Sequence, residues 1–254
     1  MIPDERIVVR SAAALIVGSE LLNGQVRDEN LFHLGHTLRA LGIPLSQAVF
    51  CQDYIEDIAA QIAALHQQYD IVFTSGGVGP THDDVTVLGV AQGLGVEVVQ
   101  SPELAEVISG TYGENTTETH LLMARVPAGA RLAETGAVRW PTIVAENVWV
   151  LPGIPQLFQM KLSVIREFLR GENPLRNETI YCAADEVTIK AVLDSAVKLH
   201  PQVTIGSYPA LFNRRFQTRL TLDSADQTAL RLAADYLEEV LGQLVVSISA
   251  PESP

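Results

Sequence analysis

The sequence predicts a three-layer α/β domain on a mostly parallel sheet, followed by a smaller α+β domain. Three observations carry this. From residue 12 to residue 99 short apolar runs alternate with amphipathic helical stretches, the rhythm of a parallel sheet covered on both faces. The stretch GENPLRN at 171–177 combines glycine, proline and polar groups and reads as a linker. After it the rhythm becomes strand, helix, two strands, helix, strand. The expected domains are therefore 1–173 and 174–254.

Taken in order, AAALIV at 12–17 is a continuous apolar run, a buried strand that Gly18 breaks. Leu31, Leu34, Leu38 and Leu41 recur at helical spacing within 28–41, and Gly42 with Pro44 ends that helix. Residues 46–51 read as a strand, 54–66 as a helix and 71–74 as a third strand. A helix is expected over 84–93 and another strand over 96–99. Residues 102–109 and 117–125 look helical, with the polar GENTTETH exposed between them. WPTIVAENVWVLPG reads as two short strands with a turn near Glu146 and Asn147. A sharp loop at 152–155 then leads into a helix over 156–169, whose apolar stripe is Leu157, Met160, Val164 and Phe168. In the second domain, strands are expected at 179–183, 203–208, 216–222 and 244–248, and helices at 186–200 and 225–241. This β-α-β-β-α-β order is the ferredoxin-like split unit.

A chain of 254 residues is long enough for a substantial core. The net charge of −13 opposes a nucleic-acid backbone, though one local site can still hold a small phosphorylated ligand. Two distant cysteines, Cys51 and Cys182, form neither a disulfide framework nor a zinc spacing and suit a reducing cytoplasm. No apolar run approaches the roughly 18 residues of a membrane span, and MIPDERIVVR lacks the pattern of a signal peptide. A cytoplasmic protein with no membrane partner is expected.

The stretch TSGGVGPTHDD at 74–84 carries the clearest chemistry. It leaves the apolar run Ile71, Val72, Phe73 at what would be the carboxyl end of a parallel strand, where open α/β sheets bind ligands. Glycines let backbone N–H groups approach an anion, and a following helix N-terminus adds partial positive charge. Ser75, Gly76, Gly77, Gly79 and Thr81 are therefore candidates to cradle a phosphate. Asp83 and Asp84 would repel a bare phosphate, which implies a divalent cation between them and the ligand. The same residues also serve a simpler structure, a tight turn in which Asp83 caps a helix and Asp84 is a first-turn acid. The spacing matches neither the dinucleotide fingerprint nor the P-loop.

Two further strand ends bear acids. GSELLNGQVRDEN carries Glu20, Asp28 and Asn30, and CQDYIED carries Asp53. If the three strands are neighbours, these acids converge on one edge; each is otherwise an ordinary solvated acid or helix cap. Pro152 and Gly153 in LPGIP form a rigid loop that either presents N–H groups or simply turns the chain into a helix. His82 adjoins the acids, and a loop position of this kind is also an ordinary exposed one. His33 and His36 share a helix face without an acid at metal-ligand spacing. Neither cysteine has a basic neighbour in sequence, so no nucleophile is assigned. Trp140 and Trp149 read as packing residues.

Together VGSELLNGQVRDEN, TSGGVGPTHDDVT and VLPGIP resemble the molybdopterin-binding-like (MoaB/MogA-type) fold, in the subgroup of the CinA N-terminal domain and the corresponding domain of eukaryotic FAD synthase. The resemblance to the FAD synthase subgroup runs nearly end to end, through YCAADEVTI, IGSYP and TRLTLDS. It implies a pterin or nucleotide ligand bearing a phosphate or pyrophosphate beside a divalent metal such as magnesium or cobalt, with a potassium requirement. By position, Asp84 matches the essential acid after the glycine loop, Asp53 the acid after the second strand and Glu20 that of the first loop. Asp28 and Asn30 match its Asp-x-Asn, Gly76, Gly77, Gly79, Pro80 and Thr81 its ligand loop, and Pro152 and Gly153 its last loop. The resemblance also implies self-association into homo-oligomers.

The activity so implied is metal-dependent nucleotide pyrophosphatase action, on FAD or ADP-ribose. Asp84 and Asp53 would hold the metal, and Asp84, Asp83 and Glu20 would do the catalytic work. Two positions depart from the subgroup: Ser19 stands where Asp or Thr is commoner, and Gln156-Leu157 where an acid is usual. The second departure favours an alternative, a non-catalytic binder of a pterin or flavin nucleotide; the retained Asp83–Asp84 pair favours the hydrolase. Molybdopterin adenylyl transfer is a third reading, opposed by the FAD synthase-like second half. With neither a nucleotide-transfer nor an amidohydrolase domain in the sequence, FAD synthesis and deamidation are not expected.

Overall fold

A computed structural model describes residues 6–136, 138–172 and 175–249. The chain divides into two compact units, Met1–Glu172 and Asn173–Pro254. Part of the expected linker, residues 173 and 174, and the chain start at 1–5 lie outside the described residues. Among the described residues no helix is long and apolar enough to cross a membrane.

Unit 1 opens with β1 (Ile7–Val8), β2 (Ala12–Val17), the single turn α1 (Ser19–Leu22) and α2 (Asn30–Ala40). β3 (Leu45–Cys51), α3 (Ile55–Gln68), β4 (Ile71–Ser75) and α4 (Thr86–Leu94) continue the alternation. An excursion follows: β5 (Val98–Gln100), α5 (Pro102–Tyr112), α6 (Glu118–Leu121) and β6 (Arg125–Pro127). Ser101 starts α5 by accepting the Leu104 N–H at 3.2 Å, with Pro102 in the first turn. The unit ends with β7 (Arg131–Thr135), β8 (Val138–Ala145), β9 (Val148–Leu151), α7 (Pro155–Phe168) and β10 (Leu169–Arg170).

The main sheet has the order β3-β2-β4-β9-β8-β7. β3, β2, β4 and β9 run parallel, and β8 and β7 extend the sheet through antiparallel pairings. The period-two geometry of a strand sorts β2 between two cores. Ala12, Ala14 and Ile16 meet Leu34 and Leu38 of α2 and Phe158, Leu162 and Ile165 of α7. Ala13, Leu15 and Val17 meet Ile58 and Ile62 of α3 and Val90 of α4. The expected three-layer architecture is thus the observed one. Every residue of β2 is buried, which explains why it reads as an unbroken apolar run and not as an alternation.

Three expectations need correction. The strand expected at 96–99 forms as β5 but pairs antiparallel with β6 in a sheet of its own; three partly exposed residues do not suit a sheet covered on both faces. The helix expected over 117–125 is one α-turn and one 3-10 turn, and Arg125 already belongs to β6. On α7 the buried face is Phe158, Lys161, Leu162, Val164, Ile165 and Phe168; Val164 and Phe168 belong to it as expected, whereas Leu157 and Met160 are 46% and 52% exposed. A lysine interrupts the true apolar face, so the periodicity pointed to its neighbours.

Unit 2 contains β11 (Arg176–Cys182), α8 (Glu186–Leu199), β12 (Thr204–Pro209), β13 (Thr218–Ser224), α9 (Gln227–Leu241) and β14 (Val245–Ser249). Its antiparallel sheet has the order β12-β13-β11-β14, the arrangement the element sequence predicts. Ile180, Cys182, Leu220 and Leu222 form its inner face against Ile189 of α8 and Leu230, Ala233 and Leu237 of α9. Asp185 and Asp226 cap the two helices by accepting backbone N–H groups of Thr188 and of Thr228 and Ala229.

Candidate active site

The register of the parallel strands lines up their carboxyl ends. Val17 stands opposite Cys51, Ile16 opposite Ser75, and Ser75 opposite Leu151. Four loops therefore leave the same edge, and they enclose a cleft of about 950 Å³. Of the residues singled out in the sequence, Glu20, Asp28, Asn30, Asp53, Ser75, Gly76, Gly77, Gly79, Pro80, Asp83, Asp84, Pro152 and Gly153 all line it. Thr81 and His82 do not. The His82 side chain is fully in solvent, 3.9 Å from Asp83 Oδ1.

The turn out of β4 requires glycine. Gly76 has φ of 106°, and a Cβ there would sit 2.2 Å from the Val17 carbonyl oxygen of the neighbouring strand. Thr86 closes the loop from the far side. Its hydroxyl donates to the Gly76 carbonyl at 2.8 Å and its N–H to the Gly77 carbonyl at 2.9 Å. The first N–H of α4 is thus spent within the loop and does not face a ligand. The N–H groups of Gly77, Val78 and Gly79 donate none of the hydrogen bonds among the described residues.

Asp83 and Asp84 are not helix caps. α4 begins at Thr86, after Val85, and no side chain caps it. Instead Asp84 Oδ2 accepts the Thr81 N–H at 2.8 Å and lies 2.6 Å from the Thr81 hydroxyl, which is also 2.5 Å from Asp83 Oδ1. A hydroxyl carries one hydrogen, so Thr81 serves one carboxylate at a time. The Thr81 hydroxyl, helped by Asp83's own backbone N–H, holds the Asp83 carboxyl below the ordinary range. Thr81 therefore positions the acids and does not touch the cleft.

The other loops are tied to this one by polar side chains. Asp53 Oδ2 accepts the Ser19 N–H at 2.7 Å, fastening the loop after β3 to the loop after β2. Asp28 Oδ2 accepts the Leu31 N–H at 3.0 Å in the first turn of α2. Asn30 is buried, and its Nδ2 donates to Ser75 Oγ at 2.9 Å and to the Gly153 carbonyl at 2.7 Å. Its Oδ1 is buried with no partner among the described residues. An unpaired buried acceptor is costly unless something else supplies a donor.

Lys161 was missed by sequence reasoning. It lines the cleft from α7, is 6% exposed, and donates from Nζ to the Trp140 carbonyl and, at 2.8 Å, to the Pro141 carbonyl. Burial lowers its pKa to about 8. None of the ion pairs among the described residues includes it. The available signal was a lysine on the apolar face of an amphipathic helix. Trp140 also lines the cleft and is not only a packing residue, whereas Trp149 is fully buried between Phe73 and Phe168.

Known proteins with similar sequences agree with this architecture. Residues 13–171 match the family described as "Probable molybdopterin binding domain", and residues 174–249 the one described as "FAD synthase, middle domain". The chain is 30% identical over 264 residues to a "Probable FAD synthase" of Caenorhabditis elegans, with 93% of this chain and 51% of that protein covered. It thus spans about half the length of that relative. A protein of Archaeoglobus fulgidus is 28% identical, with 89% of this chain and 95% of that protein covered. The crystal structure of CinA from Thermoplasma acidophilum covers 63% of this chain and 97% of its own, at a TM-score of 0.57 and 27% identity. The matched segment, cleft included, is more than half of the sequence, and the chain belongs to the family of probable molybdopterin-binding domains.

Proposed function

We propose that unit 1 is a metal-dependent nucleotide pyrophosphatase, hydrolysing the phosphoanhydride of a dinucleotide of the FAD or ADP-ribose kind. One observation carries the reading. The uncommitted N–H groups of Gly77, Val78 and Gly79 share a cleft with the carboxylates of Asp84, Asp83, Asp53 and Glu20. Amides suit a phosphate and acids do not, and a divalent cation resolves that opposition. The donor set fits such a cation. Among the described residues no group of three or more His, Cys, Asp and Glu side chains could hold a metal ion by itself, so one or two carboxylates would have to do so. Asp84 and Asp53 each have one carboxylate oxygen held by the fold. Magnesium is commonly bound in this way, by one or two carboxylates with water and ligand phosphates completing the shell. Once bound, magnesium or cobalt would supply Lewis-acid polarisation of a phosphoryl oxygen.

The remaining work falls to the chain itself. The loop N–H groups hold phosphoryl oxygens and take up the negative charge that develops as water attacks. Thr81 fixes Asp84 through two contacts, which suits a metal ligand. Asp83 takes from Thr81 only a share of the hydroxyl, and in this reading its carboxylate orients the attacking water and accepts its proton. The water oxygen bonds to phosphorus, the bridging P–O bond breaks, and its electron pair stays on the departing monophosphate. Asn30 Oδ1 awaits a donor, such as a ligand hydroxyl or N–H.

The relatives named FAD synthase, and the middle-domain match of unit 2, make FAD the first substrate to test. The test is to incubate the protein with FAD, ADP-ribose or NAD, with magnesium or cobalt and with or without potassium, and to separate the products. FMN with AMP, or ribose phosphate with AMP, is expected, with loss in Asp84→Asn and on chelation. The rival reading, a flavin- or pterin-nucleotide binder, is favoured by Gln156, which stands where the subgroup usually has an acid and is exposed. It predicts ligand binding without any product.

A further inference from the structure

The cleft has two chemically different ends. One is the glycine loop. The other is walled by Val138, Trp140, Pro141, Ile143 and Met160, with Lys161 among them. Gly153 abuts the glycine loop, since a Cβ there would lie 3.1 Å from the Gly76 Cα, and α7 starts two residues later. At the helical rise Lys161 lies about 9 Å along α7 from Pro155. A nucleotide with its phosphate at the loop would carry its ring toward this apolar wall, where Trp140 offers a face to stack on.

At this ring end Lys161 is anomalous. A buried ammonium is costly without an anionic partner, and no carboxylate pairs with it among the described residues. Nζ has three N–H donors, and the carbonyls of Trp140 and Pro141 take two of them. The geometry left over is one charged donor at an apolar wall, held in place by two backbone contacts. Such a group prefers a strong acceptor, a ring carbonyl with two lone pairs. It disfavours an edge where an amino group adjoins the acceptor, because two donors would then face each other.

We infer that Lys161 is the specificity-determining residue of the ring end, and that it selects an oxo-heterocycle such as a flavin, pterin or oxopurine over adenine. This rests on the nucleotide reading of the cleft, and the probes separate the two claims. Inosine monophosphate and AMP carry the same sugar and phosphate and differ at the ring edge, carbonyl against amino. Inorganic pyrophosphate reports the phosphate end alone, and FMN supplies a flavin.

The experiment measures equilibrium binding of the four probes, with magnesium, to the full chain and to Lys161→Met and Lys161→Arg. The native protein should prefer inosine monophosphate to AMP by about tenfold, the size of one hydrogen bond to a charged group. Lys161→Met should abolish that preference and weaken FMN to a similar degree, while pyrophosphate binding stays within about twofold. Lys161→Arg keeps a charged donor and should retain the preference. Thermal unfolding checks that each variant folds. If Lys161→Met does not fold, Lys161→Gln takes its place: the neutral variant should lose most of the preference that Lys161→Arg keeps, and a preference unchanged in Lys161→Gln would overturn the assignment. Equal native affinities, or a preference unchanged in Lys161→Met, would overturn the assignment. Pyrophosphate failing to bind at all would sink the nucleotide reading instead.

Discussion

Replacing Lys161 by methionine also tests the electrostatics of the fold without any ligand. In the unfolded chain this amine titrates near 10.5, and in the folded protein burial lowers it to about 8. Below pH 8 both states hold the proton, and the group contributes no slope. Between 8 and 10.5 the unfolded chain binds more protons than the folded one, so native stability rises with pH. The stabilisation is complete above 10.5 and is lost as pH falls through 8. Between pH 7 and pH 10 the gain integrates to about 2.5 kcal/mol. Cys51 acts the other way. Burial, reinforced by Asp57 and Asp53, raises its thiol from 9.0 to about 11, so its contribution is lost as pH rises through that window. The native curve alone would therefore flatten above pH 9. The difference between native protein and Lys161→Met cancels Cys51, which is common to both. Both tryptophans, Trp140 and Trp149, lie in unit 1, so their fluorescence during urea unfolding reports that unit alone. The native-minus-variant stability should climb by about 2.5 kcal/mol from pH 7 to pH 10. A difference flat to within about 0.5 kcal/mol would mean that the two carbonyls fully compensate the charge, and the desolvation argument would be wrong.

Two other substitutions probe the glycine loop and the acids. Gly76→Ala must relieve a 2.2 Å overlap with the Val17 carbonyl at φ of 106°, so it should destabilise unit 1 by about 3 kcal/mol or more, read as a lower urea midpoint; an unchanged midpoint would refute the geometry of the β2–β4 edge. Thr81→Val removes the hydroxyl shared by Asp83 and Asp84 while nearly preserving shape. The Asp83 carboxyl should rise toward its ordinary value, moving the acidic limb of any pH–rate profile to higher pH, and carboxyl NMR titration of Asp83 checks it directly.

The parts of the fold that were legible in the sequence are those set by local pattern. β2 was readable because all its residues are buried, and the element order alone gave the sheet of unit 2. β7 went unread because RLAET is only five residues long, buries just Ala133 and Thr135, and carries a charge at two positions. β5 was read as a strand, but nothing in three residues states which partner they pair with. Partner choice is a tertiary property, decided here by the excursion through α5 and α6 that returns β6 to its side.

The site divides in the same way. Its glycine-loop end was legible because the backbone conformation restricts residue type: only glycine fits beside the Val17 carbonyl, and acids gather where parallel strands end. The apolar end was not, because its walls are ordinary apolar residues from β8 and α7, joined only by folding. Lys161 shows how such a residue hides. On the helix wheel it looks like a blemish in an apolar stripe, and the reading shifts to Leu157 and Met160 to avoid it. Its role emerges only when the carbonyls of Trp140 and Pro141, 21 and 20 residues away, are found to hold it. A charge on the buried face of a helix is costly. When the sequence keeps such a charge and the fold places it at the wall of a cleft, that cost is an argument that something in the cleft makes use of it.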